Sequence, residues 1–362
     1  MATLASLPTP SILVNRVRVA ANIQSMQAHC DRYGVELRPH IKTHKMVAVA
    51  RQQLAAGARG LTCAKLGEAE AMLPSGVRSL FVAHSLVDPG QAPRIAALVE
   101  RLDDLRVAVT SELHLDALAR VAAAVGRKLT VMMGVDTGLN REGVRDDAAA
   151  KRIAARLASH PNLTLAGFYT HEGHAYGLAR EEQQARVTAI VDRLCALRDS
   201  IDPSLAVWPG CSVSARIAAA VGAGRVQAVR PGAYVFGDLS LTKMTGVMPD
   251  DSVALHVMAT VVDKPEPGLA LIDAGSKTFS SDRTPEGFSA RATDGRDIAV
   301  ARVNEEHGYL RGKEVDALTV GERIIFTPAH VCTVINLTDK VVVTDGNNVV
   351  DSWTVEGRGK IQ

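Results

Sequence analysis

Leu37-Arg38-Pro39-His40-Ile41-Lys42-Thr43-His44-Lys45 closes the first strand-like run of the chain, residues 34–41. In an open doubly wound sheet this position carries a glycine-rich loop that opens a helix and cradles a dinucleotide's phosphates. A stretch with a proline, no glycine and several basic side chains cannot make that loop. Working outward, β-branched runs recur at 60–64, 79–84, 106–110, 129–135, 163–170, 206–209 and 227–230. Between them lie Ala-, Leu- and Arg-rich stretches with helical spacing, such as 16–32, 88–102 and 180–197. Strands alternating with helices predict βαβ units and a parallel sheet. Eight such runs in residues 10–240 match an α/β fold of the (β/α)8 TIM-barrel type, with the open sheet as runner-up.

After Asp238 the texture changes. Runs at 253–262, 268–273, 296–303, 322–327, 331–337 and 340–343 read as strands separated by turns such as Asp345-Gly346-Asn347-Asn348. This predicts a second, smaller, mainly antiparallel β domain over 241–362, joined by the first few residues of the chain.

Composition narrows the function. The 362 residues are 47% hydrophobic and 22% charged, ordinary for a globular protein. Forty-one basic residues against 39 acidic ones leave no field to draw nucleic acid or an anionic membrane. No uninterrupted apolar run of about 18 residues predicts a membrane span, and the opening MATLASLPTP has no signal-peptide pattern. Five scattered cysteines fit reduced thiols in a cytoplasm better than a disulfide framework.

Several clusters could carry chemistry. If residues 37–42 form a strand end, His40 and Lys42 share one face, and strand ends at the carboxyl side build a barrel's active site. A desolvated lysine there suits Schiff-base chemistry. The plain alternative is that Lys42, His44 and Lys45 form a solvated basic loop. Asp136-Thr137-Gly138-Leu139-Asn140-Arg141-Glu142-Gly143 follows an apolar run and also reads as a polar turn, and Tyr169-Thr170-His171-Glu172-Gly173-His174 ends another, where a histidine also reads as a satisfied structural residue. Trp208-Pro209-Gly210-Cys211-Ser212-Val213-Ser214 and Arg230-Pro231-Gly232-Ala233-Tyr234 follow the seventh and eighth runs, where barrels often hold phosphate. In Pro328-Ala329-His330-Val331-Cys332, His330 and Cys332 share a face if the stretch is a strand. Imidazole plus thiolate is a zinc-type donor pair, too small for a closed structural site but compatible with an open catalytic one; the plain alternative is a buried free cysteine beside a surface histidine.

Together these clusters resemble the fold-type III pyridoxal phosphate enzymes, with an alanine racemase-like barrel, and within them the D-serine dehydratase and D-threonine aldolase family. The resemblance runs over nearly the whole chain, through Asp273-Ala274-Gly275, Glu306-His307-Gly308 and Pro328-x-His330-x-Cys332 in the tail. It implies pyridoxal phosphate in the barrel mouth, with Lys42 matching the Schiff-base lysine in preference to Lys45, and His40 beside it. Gly210, Ser212, Val213, Gly232 and Tyr234 map to the phosphate-holding turns. Arg141, Tyr169 and His171 map around the cofactor ring, and Arg230 matches the arginine facing the pyridine nitrogen. His330 and Cys332 match the zinc pair of D-serine dehydratases, whereas the aldolases more usually carry His-x-Asp and bind manganese. Cysteine favours the softer ion, so zinc is preferred.

The resemblance thus implies a lyase acting on small β-hydroxy D-amino acids. The reading is a dehydratase that gives keto acid and ammonia from D-serine or D-threo-3-hydroxyaspartate. Its alternative is retro-aldol cleavage to glycine and an aldehyde, with His171, His174 or His307 relaying protons. A non-catalytic pyridoxal phosphate carrier is weaker, because such single-barrel proteins lack a β domain. Racemase chemistry needs a second acid–base tyrosine, and Tyr309 alone follows residue 240. A homodimer is implied by the family.

Overall fold

The computed structural model describes residues 2–362. In chain order, β1 (Ser11–Asn15) and α1 (Arg16–Arg32) precede β2 (Glu36–Leu37), α2 (Val47–Ala55), β3 (Leu61–Cys63) and α3 (Leu66–Met72). Then come β4 (Ser79–Ser85), α4 (Ala92–Arg101), β5 (Asp104–Val109), α5 (Glu112–Val125), β6 (Leu129–Gly134) and α6 (Asp147–Ser159). The alternation ends with β7 (Leu163–Tyr169), α7 (Arg180–Asp199), β8 (Ala206–Trp208), α8 (Ala215–Val221) and β9 (Ala228–Val229). The tail carries β10 (Leu255–Glu266), β11 (Leu269–Ile272), α9 (Ser276–Phe279), β12 (Ala290–Ala292), β13 (Ala299–Val303) and β14 (Gly308–Arg311). It closes with β15 (Arg323–Pro328), α10 (Val331–Asn336), β16 (Lys340–Asp345) and β17 (Asn348–Thr354).

Two compact units result. One holds residues 25–42, 49–232 and 360–362; the other holds 1–24, 43–48 and 233–359. The first contains β2 to β9, all parallel. β3 to β8 form one ladder in sequence order and β2 pairs with β9. These two pieces are linked on one side by a His40–Thr62 bridge and by Arg59 N donating to Leu37 O at 2.9 Å, and on the other by Gln227 N donating to Val207 O at 3.1 Å. The regular TIM barrel expected from the sequence is therefore only approximated, because β2 and β9 are two residues each. The barrel's interior layer takes one residue per strand from Phe81, Ala108, Met132, Tyr169, Trp208 and Ala228. Three aromatic rings and Met132 share this layer with two alanines, which leave room for the larger side chains to pack. Gly134 gives room for this packing: a Cβ there would lie 2.9 Å from the Tyr169 ring.

The second unit is antiparallel at its centre. β11, β14, β13, β12, β15 and β10 pair in that order, and β10 pairs back to β11, closing a six-stranded barrel. β10 also pairs with β1, which runs parallel to β16, with β17 outermost. One expected strand is a helix. Residues 331–337 read as strand because Val331, Thr333, Val334 and Ile335 are β-branched, but Val331, Val334 and Ile335 are buried at helical spacing as α10. No helix among the described residues is long and apolar enough to cross a membrane.

Candidate functional site

The segment that opened the sequence reading is not a strand as far as Lys42. β2 stops at Leu37, and Ile41–Thr43 is a 3-10 turn. His40 and Lys42 therefore do not share a strand face. They are brought together by that turn, with Lys42 N donating to His40 Nδ1 at 3.4 Å. The solvated-loop alternative fails as well, because His44 and Lys45 are buried. Lys45 adopts a positive φ of 52° and its Nζ donates to Asn336 Oδ1 at 2.8 Å. Lys42 is half-buried.

In the barrel unit, six predicted residues, Lys42 among them, lie close enough to act on one another. His40 is buried, and its imidazole is held neutral first by desolvation and then by the charges of Lys42, Arg230, His171 and Arg141. His171, at the end of β7, is pushed down to about 3 by burial, then by Lys42, Arg141 and Arg230. Its Nδ1 meets Gly210 O at 3.1 Å. Arg141 is exposed on the turn after β6, which Asp136 shapes by accepting from the Gly138 and Asn140 amides. The Tyr169 ring is buried edge-on against Phe81, and burial raises its hydroxyl's pKa. Arg230 is buried with its guanidinium over the Tyr169 ring at 5.2 Å, donating to Thr170 O and Trp208 O.

The two glycine-containing turns are tied together, since Gly232 N donates to Ser212 Oγ at 3.1 Å. Gly210 is required by shape, because a Cβ would sit 2.7 Å from Arg230. Its amide is already used: Glu172, fully buried, accepts from Gly210 N with both oxygens at 3.1 Å and from Ser214 Oγ at 2.6 Å. Glu172 was not singled out by the sequence reading, although it sits between two histidines that were. Val213 is buried in the same turn. The ring nitrogens of His174 are buried without a hydrogen-bond partner.

In the other unit, Tyr234 is buried in a 3-10 turn. His307 is exposed between β13 and β14. His330 and Cys332 do not share a strand face: β15 ends at Pro328, His330 is the N-cap of α10 and Cys332 lies in its first turn. They meet nonetheless, since Cys332 hydrogen-bonds the His330 ring. The Cys332 thiolate, opposed by desolvation and helped by Asp238, raises the imidazole's pKa. Cys332 Sγ lies 3.2 Å from Thr43 Oγ1. Asp238, which sequence reasoning treated only as a point where texture changes, meets His330 Nδ1 at 2.9 Å. No local motif marks it, because its partner lies 92 residues downstream.

These residues fit the two groups that the family resemblance implies. Lys42, Arg141 and Arg230 make a positive field around neutral imidazoles, which suits an anionic cofactor with an aldehyde for Lys42 to hold. A nitrogen and a sulfur donor, His330 and Cys332, suit a borderline-soft divalent ion.

Comparison with known proteins gives a consistent picture. Residues 14–240 match the model of the alanine racemase N-terminal domain, and residues 254–344 match that of a serine dehydratase domain. The D-threo-3-hydroxyaspartate dehydratase of Delftia sp. (strain HT23) is 33% identical over 357 residues, spanning 91% of this chain and 92% of the relative. The crystal structure of D-threonine aldolase from Filomicrobium marinum superposes with a TM-score of 0.90 at 27% identity, covering 99% of this chain and 98% of the other. A cysteine-to-alanine mutant of D-threo-3-hydroxyaspartate dehydratase in the metal-free form superposes with a TM-score of 0.85 at 29% identity, covering 98% and 99%.

Proposed function

This chain belongs to the family that joins an alanine racemase N-terminal domain to a serine dehydratase domain, and we propose that it is a pyridoxal phosphate- and divalent metal-dependent lyase of β-hydroxy D-amino acids, of the dehydratase type. The observation that carries the dehydratase assignment is the His330–Cys332 pair, a soft donor set with Thr43 against the sulfur. When bound, the cofactor supplies an electron sink for Cα and the metal ion a Lewis acid for the β-hydroxyl.

The protein's own residues do the rest. Lys42 would hold the cofactor through Nζ, and once the substrate's amino group had displaced it there, the freed amine would take the proton from Cα. Ser212, Val213, Gly232 and Tyr234 would hold the phosphate, with Gly210 shaping the turn. Arg141, Tyr169, His40 and His171 would flank the ring. Arg230 would face the pyridine nitrogen, and its guanidinium, which does not give up its proton, leaves that nitrogen unprotonated. His330 and Cys332 would hold zinc, with manganese as the alternative. The substrate loses its Cα proton to Lys42 and its hydroxyl as water. The unsaturated amine then hydrolyses to keto acid and ammonia.

The second reading, retro-aldol cleavage, draws on the likeness to D-threonine aldolase. There a base takes the hydroxyl proton instead, and His171, His174 and His307 are the relays assigned to it. Product analysis decides between them. Purified enzyme loaded with pyridoxal phosphate and zinc should release keto acid and ammonia from D-serine or D-threo-3-hydroxyaspartate. Glycine from D-threonine, with no keto acid from the other two, overturns the dehydratase assignment. A homodimer is part of the same reading, and its test is sedimentation of the holoenzyme.

A further inference from the structure

Asp238 is fully buried, where a carboxylate persists only if its oxygens are hydrogen-bonded. Oδ1 accepts from Leu241 N at 3.0 Å, and Oδ2 accepts from Val331 N at 3.1 Å and His330 Nδ1 at 2.9 Å. The two backbone amides would suffice to anchor the start of α10 and the turn after Asp238. The third bond does something different. It places the ring proton on Nδ1 and fixes the plane of the imidazole, so the lone pair lies on Nε2. Cys332 hydrogen-bonds the same ring, so the sulfur and that imidazole are held together.

Asp238 is fully buried, and its Oδ2 already accepts two hydrogen bonds, so it is treated as a support for His330 rather than as a third donor. Among the described residues no three His, Cys, Asp or Glu side chains gather as a metal-holding group. A site with two protein donors depends strongly on how well each is oriented. We propose that Asp238 is a positioning residue for the metal: it holds His330 in the Nδ1–H tautomer, with Nε2 turned to the ion, and makes the imidazole a stronger donor. This rests on the reading of His330 and Cys332 as ligands.

The test is zinc affinity of the full-length, pyridoxal phosphate-loaded protein, measured by competition with a chromogenic chelator. Asp238→Asn keeps the shape and removes the charge, and the expected loss is about 10- to 100-fold. Two backgrounds separate positioning from folding. If Asp238 acts through His330, Asp238→Asn added to His330→Ala causes no further loss. The thiolate-to-metal absorption of the cobalt-loaded Asp238→Asn protein should persist but shift. Wild-type affinity in Asp238→Asn, or an equal fold-loss in both backgrounds, overturns the proposal. Failure of the wild-type protein to bind zinc stoichiometrically overturns the ligand reading beneath it, and is told apart by that control.

Discussion

His171 in the barrel unit and His330 in the β unit are the same side chain moved in opposite directions. Burial disfavours the charged form of both. Around His171 the neighbours that follow are Lys42, Arg141 and Arg230, all cationic, so the ring stays neutral. Around His330 they are the Cys332 sulfur and the Asp238 carboxylate, so protonation is favoured when no metal competes. The difference teaches that each cluster carries the charge opposite to the group it would take. The imidazole thus reports the sign of its surroundings rather than a property of its own.

The most severe way to break this contrast is Lys42→Ala. It should lower kcat by about 1,000-fold or more, as expected when a covalent catalytic amine is removed. It should also abolish the cofactor's absorption band near the visible edge, whereas Lys45→Ala should keep the band. The reverse pattern would show that the wrong lysine was assigned. Next in size, Cys332→Ala should strip the divalent ion and cost about 100-fold in kcat, read with metal analysis by mass spectrometry. Cys332→Asp should retain a metal but shift preference from zinc toward manganese, which sharpens the contrast by hardening only one cluster. Full zinc occupancy in Cys332→Ala removes the cysteine from the site.

Glu172→Ala comes third. It strands the Gly210 amide and removes the shortest acceptor of the Ser214 hydroxyl, costing about 1–3 kcal/mol of stability. Pyridoxal phosphate affinity, measured by fluorescence quenching, should fall with it, and Glu172→Gln should recover part of both. An unchanged affinity in Glu172→Ala would mean the turn holds its shape without the clamp. The smallest expected effect concerns pH. His114 is buried with its pKa lowered to about 4, chiefly by desolvation. Folding favours its neutral form, so its contribution is whole above about pH 6.5 and is lost as pH falls toward 4. At pH 5 the loss is about 2 kcal/mol, from 1.36 kcal/mol per unit. Urea midpoints at pH 7.5 and 5 should show it, and His114→Asn should flatten the dependence.

Much of the architecture was legible because alternation is a local signal. Each of the eight strand-like runs before residue 240 contains a strand, and six pair in sequence order. What the sequence hid was set by partners far away. The run at 331–337 has β-branched residues that favour a strand, yet three buried positions at helical spacing make it α10. The end of the first run was misjudged in length for a related reason: Pro39 has no amide hydrogen to extend a ladder, and β2 stops two residues earlier. Candidate residues in the barrel were visible as clusters at strand ends. Asp238 and Glu172 were not, since a buried carboxylate is identified by what it touches, and neither His330 nor Gly210 is near its partner in sequence.

The pairing of β1 has a consequence for how the polypeptide is made. Ile12, Leu13 and Val14 are buried, and Leu13 pairs with His256 on one side and Val342 on the other. Those apolar residues leave the ribosome before the rest of their sheet, and their second neighbour follows 329 positions later, the difference between 342 and 13. At a synthesis rate of about 5–20 residues per second, β1 waits tens of seconds with at least one edge unsatisfied, and with both until β10 is made. Translation speed and chaperone capture in that interval therefore bear on yield. A nonsense codon shortly before β16 would leave a sticky ribbon prone to aggregate rather than a shortened enzyme.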